Sequence, residues 1–379
     1  MSTEYDQLRK TARDFCDREL RTTARERDRN ESWDPDLVAT LAEVGFLGAA
    51  IPEEYGGMGL DTKGYQIIIE ELGAADSSIR SMVSVNLGLV SMSILRWGTD
   101  QQKQRWLPEL ASGRLGAFGL TEPAAGSNPS EMRSKAERDG DGWVINGSKI
   151  FITNGSEGAV TKIFARAIED GEDRGITCFL VPQDSEGYTG TKIHGKLGLR
   201  SGDTAEIHLE DVRVGDDAVL GEVGGGMKVA LSALDNGRFS LASGAVGLAR
   251  EALEVSLKYV KEREQFGNPI GSYQLVQELL AAMHVDIEAA RGLVDKVAAK
   301  KDTGERFTLE VSTAKLFATE ASVRCADRAV QIHGGYGYID EYPVQRLLRD
   351  ARVTTLYEGT SQIQHLIIGR HLTGINAFT

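Results

Sequence analysis

The stretch DGWVINGSKIFITNG (residues 141–155) divides the 379-residue chain. Its β-branched and aromatic residues are broken by Asp-Gly and Asn-Gly pairs, the pattern of short strands joined by tight turns. The same texture recurs in KIFARAIE (162–169), GITCFLVPQ (175–183) and TAEIHLEDVRV (204–214). On both sides of this region the period lengthens. DPDLVATLAEVGFLGAA (34–50) has the Asp-Pro start and apolar spacing of a helix. GYQIIIEELGAAD (64–76) and TDQQKQRWLPELASG (99–113) continue it, and PEEYGGMGLD (52–61) is a Gly-rich turn. The segment 224–264, from GGGMKVALSALD to YVKERE, and SVRCADRAVQIHGGYGY (322–338) return to helical spacing. The expectation is an α+β chain with an N-terminal α-helical domain (1–114), a middle antiparallel β-sheet domain (115–225) and a C-terminal α-helical domain (226–379).

Bulk properties narrow the function. The net charge of −13 speaks against nucleic acid or an anionic membrane surface as partner. Cys16, Cys178 and Cys325 stand far apart with no CxxC pair and read as small core residues in a reducing compartment. The histidines show no HxxxH or HExxH spacing, so no metal site is expected. MSTEYDQLRKTARDFCDREL (1–20) is charged and periodic, unlike a signal or transit peptide, and no transmembrane segment is expected. The simplest location is cytoplasmic. No GxGxxG opens a helix after a strand, and βαβ alternation is absent, so a nicotinamide site of the Rossmann type finds no support. GEVGGGMK (221–228) lacks the Walker spacing and reads as a loop re-entering helix.

Three stretches carry chemistry. AFGLTEPAAGSNPSEM (117–132) surrounds a Glu-Pro bend with small residues and hydroxyls. Its bare amides, with Thr121 and Ser127, can face an anionic or carbonyl-rich ligand; otherwise it is a surface loop. KIFITNG (149–155) places Phe151 and Thr153 on one strand face, an apolar plate beside a hydroxyl, or else ordinary sheet core. TTLYEGTSQIQHL (354–366) sets Glu358 between Tyr357 and Gly359, ahead of a helical run. Glu358 is there either as a charge that suits the helix dipole, with Thr360 as cap, or as a reacting group.

Together these stretches resemble the acyl-CoA dehydrogenase family over essentially the whole chain. LTEPAAGSN (120–128) and FITNG (151–155) match its two flavin loops. REQFGNPIGSYQ (263–274), QIHGGYGYIDEYPVQRLLRDAR (331–352) and YEGTSQIQ (357–364) match three later motifs in order and spacing. The resemblance implies helical, β and four-helix-bundle domains, FAD as cofactor, and a homotetramer. It implies that Thr121 bonds the flavin's pyrimidine edge and Thr153 its N5 side, with Phe118, Leu120, Gly126, Phe151 and Ile152 beside them. Ser127 would lie near the pyrophosphate and the substrate's pantetheine. Arg263, Gln265, Phe266 and Gln274 would reach FAD from a neighbouring subunit, and Gln331, Gly334, Gly335, Thr360 and Gln362 would complete the nucleotide contacts. Glu358 would remove the proton next to a thioester carbonyl while the β-hydrogen leaves as hydride to flavin N5. Such a base must be basic, so desolvation by Tyr357 and the acyl chain must outweigh a helix end that stabilises the carboxylate by about 0.3–1 kcal/mol. Gly359 would allow close approach of the substrate, and the Glu358 amide would donate to the thioester oxygen.

On the substrate side, Asp235 and Arg238 in LDNGRFS (234–240) match positions near the pantetheine arm and acyl pocket, and Arg370 one near the nucleotide end. In DSSIRSMVSVNLGLV (76–90), Arg80 and Ser84 share a helix face. A similar arginine and serine hold the distal carboxylate in glutaryl-CoA dehydrogenases, and the ending LTGINAF (372–378) is similar to that branch. A similar arginine occurs in dehydrogenases of carrier-protein-bound malonyl-type units. MVSVNLGLV, however, resembles short- and branched-chain members, which carry no such arginine. The plain alternative pairs Arg80 with Asp76 one turn earlier. Phe151 stands where tryptophan is frequent, Asn128 replaces the usual aspartate, and Gly215 the usual proline. The implied activity is FAD-dependent α,β-dehydrogenation of a short acyl thioester on CoA or a carrier protein, with electrons passing to an electron-transferring flavoprotein. A glutaryl-type oxidative decarboxylase is the near alternative. Glu358 speaks against a flavin oxidase or monooxygenase of the same fold, and the acidic balance against a DNA-protecting relative.

Overall fold

The computed structural model describes residues 3–377, so Phe378 of the LTGINAF ending lies outside the described residues. Helix α1 (Thr3–Phe15) runs through a π-helical turn into α2 (Ala24–Asn30). Asp34 caps α3 (Pro35–Glu43), its side chain accepting from the Leu37 amide, and Pro35 sits in the first turn, where its missing N–H costs nothing. Asp61 caps α4 (Thr62–Ala75) and Asp76 caps α5 (Ser77–Ser84) in the same way. A π-helical segment, Val85–Ser91, joins α5 to α6 (Met92–Trp97), and a capping box of Thr99 and Gln102 opens α7 (Asp100–Ala111). The continuous run Ser77–Trp97 has a mean hydropathy of 1.4 over 18 residues, enough in length and composition to cross a membrane. Here 89% of that window is buried inside the protein, which makes it a core helix.

The strands are β1 (Gly116–Gly119), β2 (Lys135–Asp139), β3 (Gly142–Thr153), β4 (Val160–Glu169), β5 (Glu172–Pro182), β6 (Tyr188–Lys192) and β7 (Thr204–Gly215). They form one sheet in the order β1-β4-β2-β3-β7-β6, with β5 against β4. The β domain is as expected, but the sheet is not purely antiparallel: β1 and β2 both run parallel to β4. Neither reaches β4 through a hairpin. The loop at 120–134 and two strands separate β1 from β4, and β3 separates β2 from β4, so each link is a crossover.

Beyond the sheet come α8 (Gly226–Glu262), a hairpin of β8 (Glu264–Gln265) and β9 (Asn268–Pro269), then α9 (Gln274–Asp302), α10 (Thr308–His333), α11 (Val344–Thr354) and α12 (Ser361–Thr373). Helices α8, α9 and α10 pack side by side, and α11 and α12 close against α10. One apolar core runs through both helical regions, and a second, with Trp143, Ile145, Ile163, Phe179 and Ile207, lies in the sheet. All three cysteines are buried and free.

Helices α4 and α8 touch backbone to backbone. A Cβ on Gly73 would stand 2.3 Å from the Gly244 carbonyl oxygen, and one on Gly247 1.9 Å from that of Glu70. Around this crossing, buried Glu71 meets Arg9 (2.9 Å), Arg13 (3.2 Å) and Arg250 (2.7 Å), tying α1, α4 and α8 together. The crossing also sets α5 against α8. A Cβ on Gly244 would lie 2.6 Å from Arg80 Cδ, so that glycine leaves room for the arginine stem.

Candidate active site

A cavity of about 1390 Å³ opens where the sheet meets α5–α6, α8 and the loop between α11 and α12. One wall comes from the ends of β1 and β3. Phe118, Leu120, Thr121, Gly126, Ser127, Phe151, Ile152 and Thr153 all line it. The two loops are bonded directly, since the Ile150 amide donates to Thr121 O (3.0 Å). Glu122 pins the first loop: it accepts from the amides of Arg133 (2.6 Å) and Ser134 (3.0 Å) and from Lys149 Nζ (2.8 Å). Burial pushes its carboxyl up, but these donors win and hold it below the usual carboxylate range. This buried pair was missed from sequence, although the glutamate stands inside the quoted motif.

Phe151 does not sit in the sheet core. The β3–β7 register slips between Lys149 and Ile152, and at this bulge Phe151 takes φ 61° and stays 66% exposed. Bulges commonly re-aim a side chain in this way. Ile152 is buried in the sheet core, leaving its backbone for the cavity. Among the described residues, no protein partner accepts or donates to the hydroxyls of Thr121, Ser127 and Thr153.

The opposite wall carries Tyr357, Glu358 and Gly359. Thr360, not Glu358, caps α12, its hydroxyl accepting from the Ile363 amide. Glu358 precedes the cap with φ 57°, followed by Gly359 at φ 86°, and this left-handed bend turns the carboxylate inward. Its Oε2 is buried and has no hydrogen-bond partner among the described residues. A Cβ on Gly237 of α8 would lie 2.5 Å from that oxygen, so only glycine fits where the carboxylate packs. Burial pushes the Glu358 carboxyl up to about 7, against the opposing pull of Arg80, Arg238 and Lys315.

That shift has a stability consequence. The proton is held more tightly in the folded chain than in the unfolded one, where 4.5 applies. The contribution is complete below pH 4.5 and is lost as pH rises through about 7. Glu358→Gln does not titrate, so between pH 4.5 and 8 its unfolding free energy should gain on the parent by on the order of 3 kcal/mol. A difference that does not vary with pH in denaturant titrations would contradict a raised carboxyl.

Arg80 is 2% exposed. It does not pair with Asp76, which instead meets Arg27 at 2.8 Å while capping α5. Arg80 Nη2 donates to the Tyr357 hydroxyl (2.7 Å) and Nη1 reaches Ser84 Oγ (3.5 Å). Ser84 bonds Ser240 Oγ (2.6 Å), which accepts from the Tyr65 hydroxyl (2.8 Å). Among the described residues, no carboxylate lies within ion-pair distance of Arg80. Arg80 and Ser84 thus lie behind Tyr357 and Ser81, which face the cavity.

Arg238 donates through Nε to Glu358 O (3.1 Å) and pairs with Asp235 (2.9 Å), so it serves the acid's backbone as well as the cavity wall. Lys315 and Gln364, both missed from sequence, donate to the same bend. No spacing signal marks them, since each simply continues a helical pattern. Arg370 lines the cavity rim.

The remaining candidates stand elsewhere. Arg263, Gln265, Phe266, Gly334 and Gly335 line a second cavity of about 570 Å³ between the β8–β9 hairpin and the end of α10. Phe266 there is 93% exposed. Gln274 and Gln331 are exposed beside it without lining it, and Thr360 and Gln362 line neither cavity.

Comparison with known proteins bears on the whole chain. Models of the acyl-CoA dehydrogenase N-terminal, middle and C-terminal domains match residues 2–114, 117–212 and 224–373. The mouse mitochondrial short-chain specific acyl-CoA dehydrogenase is 41% identical over 97% of this chain and 90% of its own length. Butyryl-CoA dehydrogenase from Megasphaera elsdenii superposes with a TM-score of 0.94 at 39% identity, covering 98% of each chain. Glutaryl-CoA dehydrogenase from Mycobacterium smegmatis gives 0.95 at 38% identity, covering 100% of this chain and 97% of that one. With three domain models in order and relatives at this identity over nearly its full length, the chain belongs to the acyl-CoA dehydrogenase family.

Proposed function

We propose that the protein oxidises the α,β-bond of a short acyl-CoA, that Glu358 is the base, and that Arg80, behind Tyr357, receives a carboxylate at the far end of the acyl group. To do so, that carboxylate takes the place of the Tyr357 hydroxyl to which Arg80 now donates. The observation that carries the reading is the Glu358 carboxylate, buried at the cavity with Oε2 unpartnered and its carboxyl raised to about 7. Such a group is about half ionised near pH 7, so it is available as a carboxylate and basic enough to accept a proton.

FAD is the cofactor of this family, and the residues present fit it. Three hydroxyls without protein partners and a left-handed, exposed Phe151 line one wall, as a flat heterocycle with polar edges requires. Thr121, Thr153, Phe118 and Phe151 would hold the ring, and Ser127 the phosphate side. Bound FAD supplies the acceptor for the β-hydrogen and its electron pair. Glu358 takes the α-proton: the C–H bond breaks, an O–H bond forms, and the electron pair shifts toward the thioester carbonyl. The Glu358 amide makes no hydrogen bond among the described residues and is available to that oxygen. Tyr357, Leu89 and the α8 face at Gly237 exclude water from the carboxylate. Electrons then pass to an electron-transferring flavoprotein, and the protein works in the cytoplasm as a homotetramer.

Two readings of the acyl group compete. A buried guanidinium without a carboxylate partner favours a dicarboxylic thioester of the glutaryl type over a plain butyryl-type group. Anaerobic bleaching of the flavin by a panel of acyl-CoAs that includes both, with mass analysis of products, tests the proposal. Bleaching by butyryl-CoA alone would remove the carboxylate role, and bleaching by none would remove the activity.

The split between the two cavities supports a cofactor shared across subunits. Arg263→Ala should therefore release flavin and loosen the oligomer together, by more than tenfold in flavin affinity, seen as coupled changes in flavin fluorescence and sedimentation. A variant that stays a flavin-loaded oligomer would contradict the sharing.

A further inference from the structure

The bend that carries Glu358 is held by groups the proposed reaction does not otherwise use. Two consecutive left-handed residues, one of them not glycine, persist only where the surroundings over-determine them. Here four hydrogen bonds do so. Glu358 O accepts from Arg238 Nε (3.1 Å) and Gln364 Nε2 (3.2 Å). Gly359 O accepts from Lys315 Nζ (2.8 Å) and Gln364 Nε2 (3.0 Å). A Cβ on Gly359 would come 2.8 Å from Gln364 Nε2, so the clamp closes directly on the backbone.

Lys315 is the unusual member. It lies on α10 with 0% exposure, and its ammonium meets a backbone carbonyl and no carboxylate within ion-pair distance among the described residues. A structural contact to one carbonyl does not require a buried charge, because a neutral amide such as Gln364 already supplies it. We propose that Lys315 is a positioning residue for the base: it fixes the Glu358–Gly359 bend from α10 and sets a positive charge beside the Glu358 carboxylate. The proposal rests on the reading of Glu358 as base. The other groups facing that carboxylate are Arg80 from α5, Arg238 from α8, and the phenols of Tyr65 and Tyr357, which are neutral near pH 7. Burial lowers the Lys315 ammonium to about 8, which still leaves it charged at neutral pH.

The test uses flavin-loaded enzyme and an acyl-CoA analogue with sulfur in place of the β-carbon. Its α-proton can move to Glu358, with the electron pair drawn onto the thioester oxygen, but no β-hydrogen exists to leave, so no oxidation follows. Enolate absorption is followed against pH. The base and ligand together lose one proton, and a nearby positive charge favours the ionised pair. Lys315→Met should move the titration midpoint up by about one pH unit and slow flavin reduction by a true substrate about tenfold or more. Lys315→Gln, which keeps a donor without charge, should move the midpoint equally, and it stands in if the methionine variant does not fold. Gln364→Leu should slow reduction with the midpoint unmoved. Lysine variants with an unmoved midpoint, whatever their stability, overturn the proposal. Enolate formation in Glu358→Gln would instead overturn the reading of Glu358 itself.

Discussion

Glu358→Gln is expected to bind flavin and acyl-CoA like the parent yet reduce flavin at least about 10³-fold more slowly. The amide matches the carboxylate in size, so the packing against Gly237 survives. The backbone bonds from Arg238, Lys315 and Gln364 go to carbonyl oxygens and are untouched by the change. What disappears is the capacity of Oε2 to accept a proton. Anaerobic stopped-flow bleaching gives the rate, and equilibrium titration gives the binding. A variant that reduces flavin within tenfold of the parent would show that Glu358 acts only through its bend.

Arg80→Met is expected to separate substrates. If a substrate carboxylate is the partner, kcat/KM for a glutaryl-type thioester should fall by about 2–4 kcal/mol, or roughly 30- to 1000-fold. A butyryl-type thioester should be unharmed, because it carries no carboxylate for Arg80 to hold. The Asp76 pairing, a natural rival from the i, i+4 spacing, is removed by the ion pair of Asp76 with Arg27. The surviving rival is electrostatic. Arg80 also opposes the upward shift of the Glu358 carboxyl. If that is its main service, both substrates should lose equally, with the pH profile of flavin reduction moved upward.

Much of this was legible because period and motif coincide. The change from helical to strand spacing near residue 115 and back near 225 reads directly from the residues, and the flavin-loop and Glu358 motifs point to the cavity walls. The parallel pairing of β1 and β2 with β4 was not legible, because strand pattern fixes which face is buried and says nothing of neighbours. Phe151 shows another limit. Alternation puts it on a sheet face, but the bulge that aims it into the cavity depends on the register with β7. Lys315 and Gln364 lie on buried helix faces, where spacing marks them only as helical. Their task is visible once α10 and α12 meet the 358–359 bend.

The core helix Ser77–Trp97 also bears on how the chain is made. Early neighbours cover part of it, α4, α7 and β1 among them, but one face waits for later groups: Lys162 donates to Leu89 O, and Gly237 and Gly244 of α8 pack against Leu89 and Arg80. At a ribosomal pace of about 5–20 residues per second, α8 is complete only some 8–30 s after Trp97. Through that interval the α8-facing side of a segment apolar enough for a bilayer stays uncovered on a nascent chain, which makes it a natural target of co-translational chaperones. Fragments released before α8 would keep it uncovered, so premature termination should yield insoluble product where termination after α8 does not.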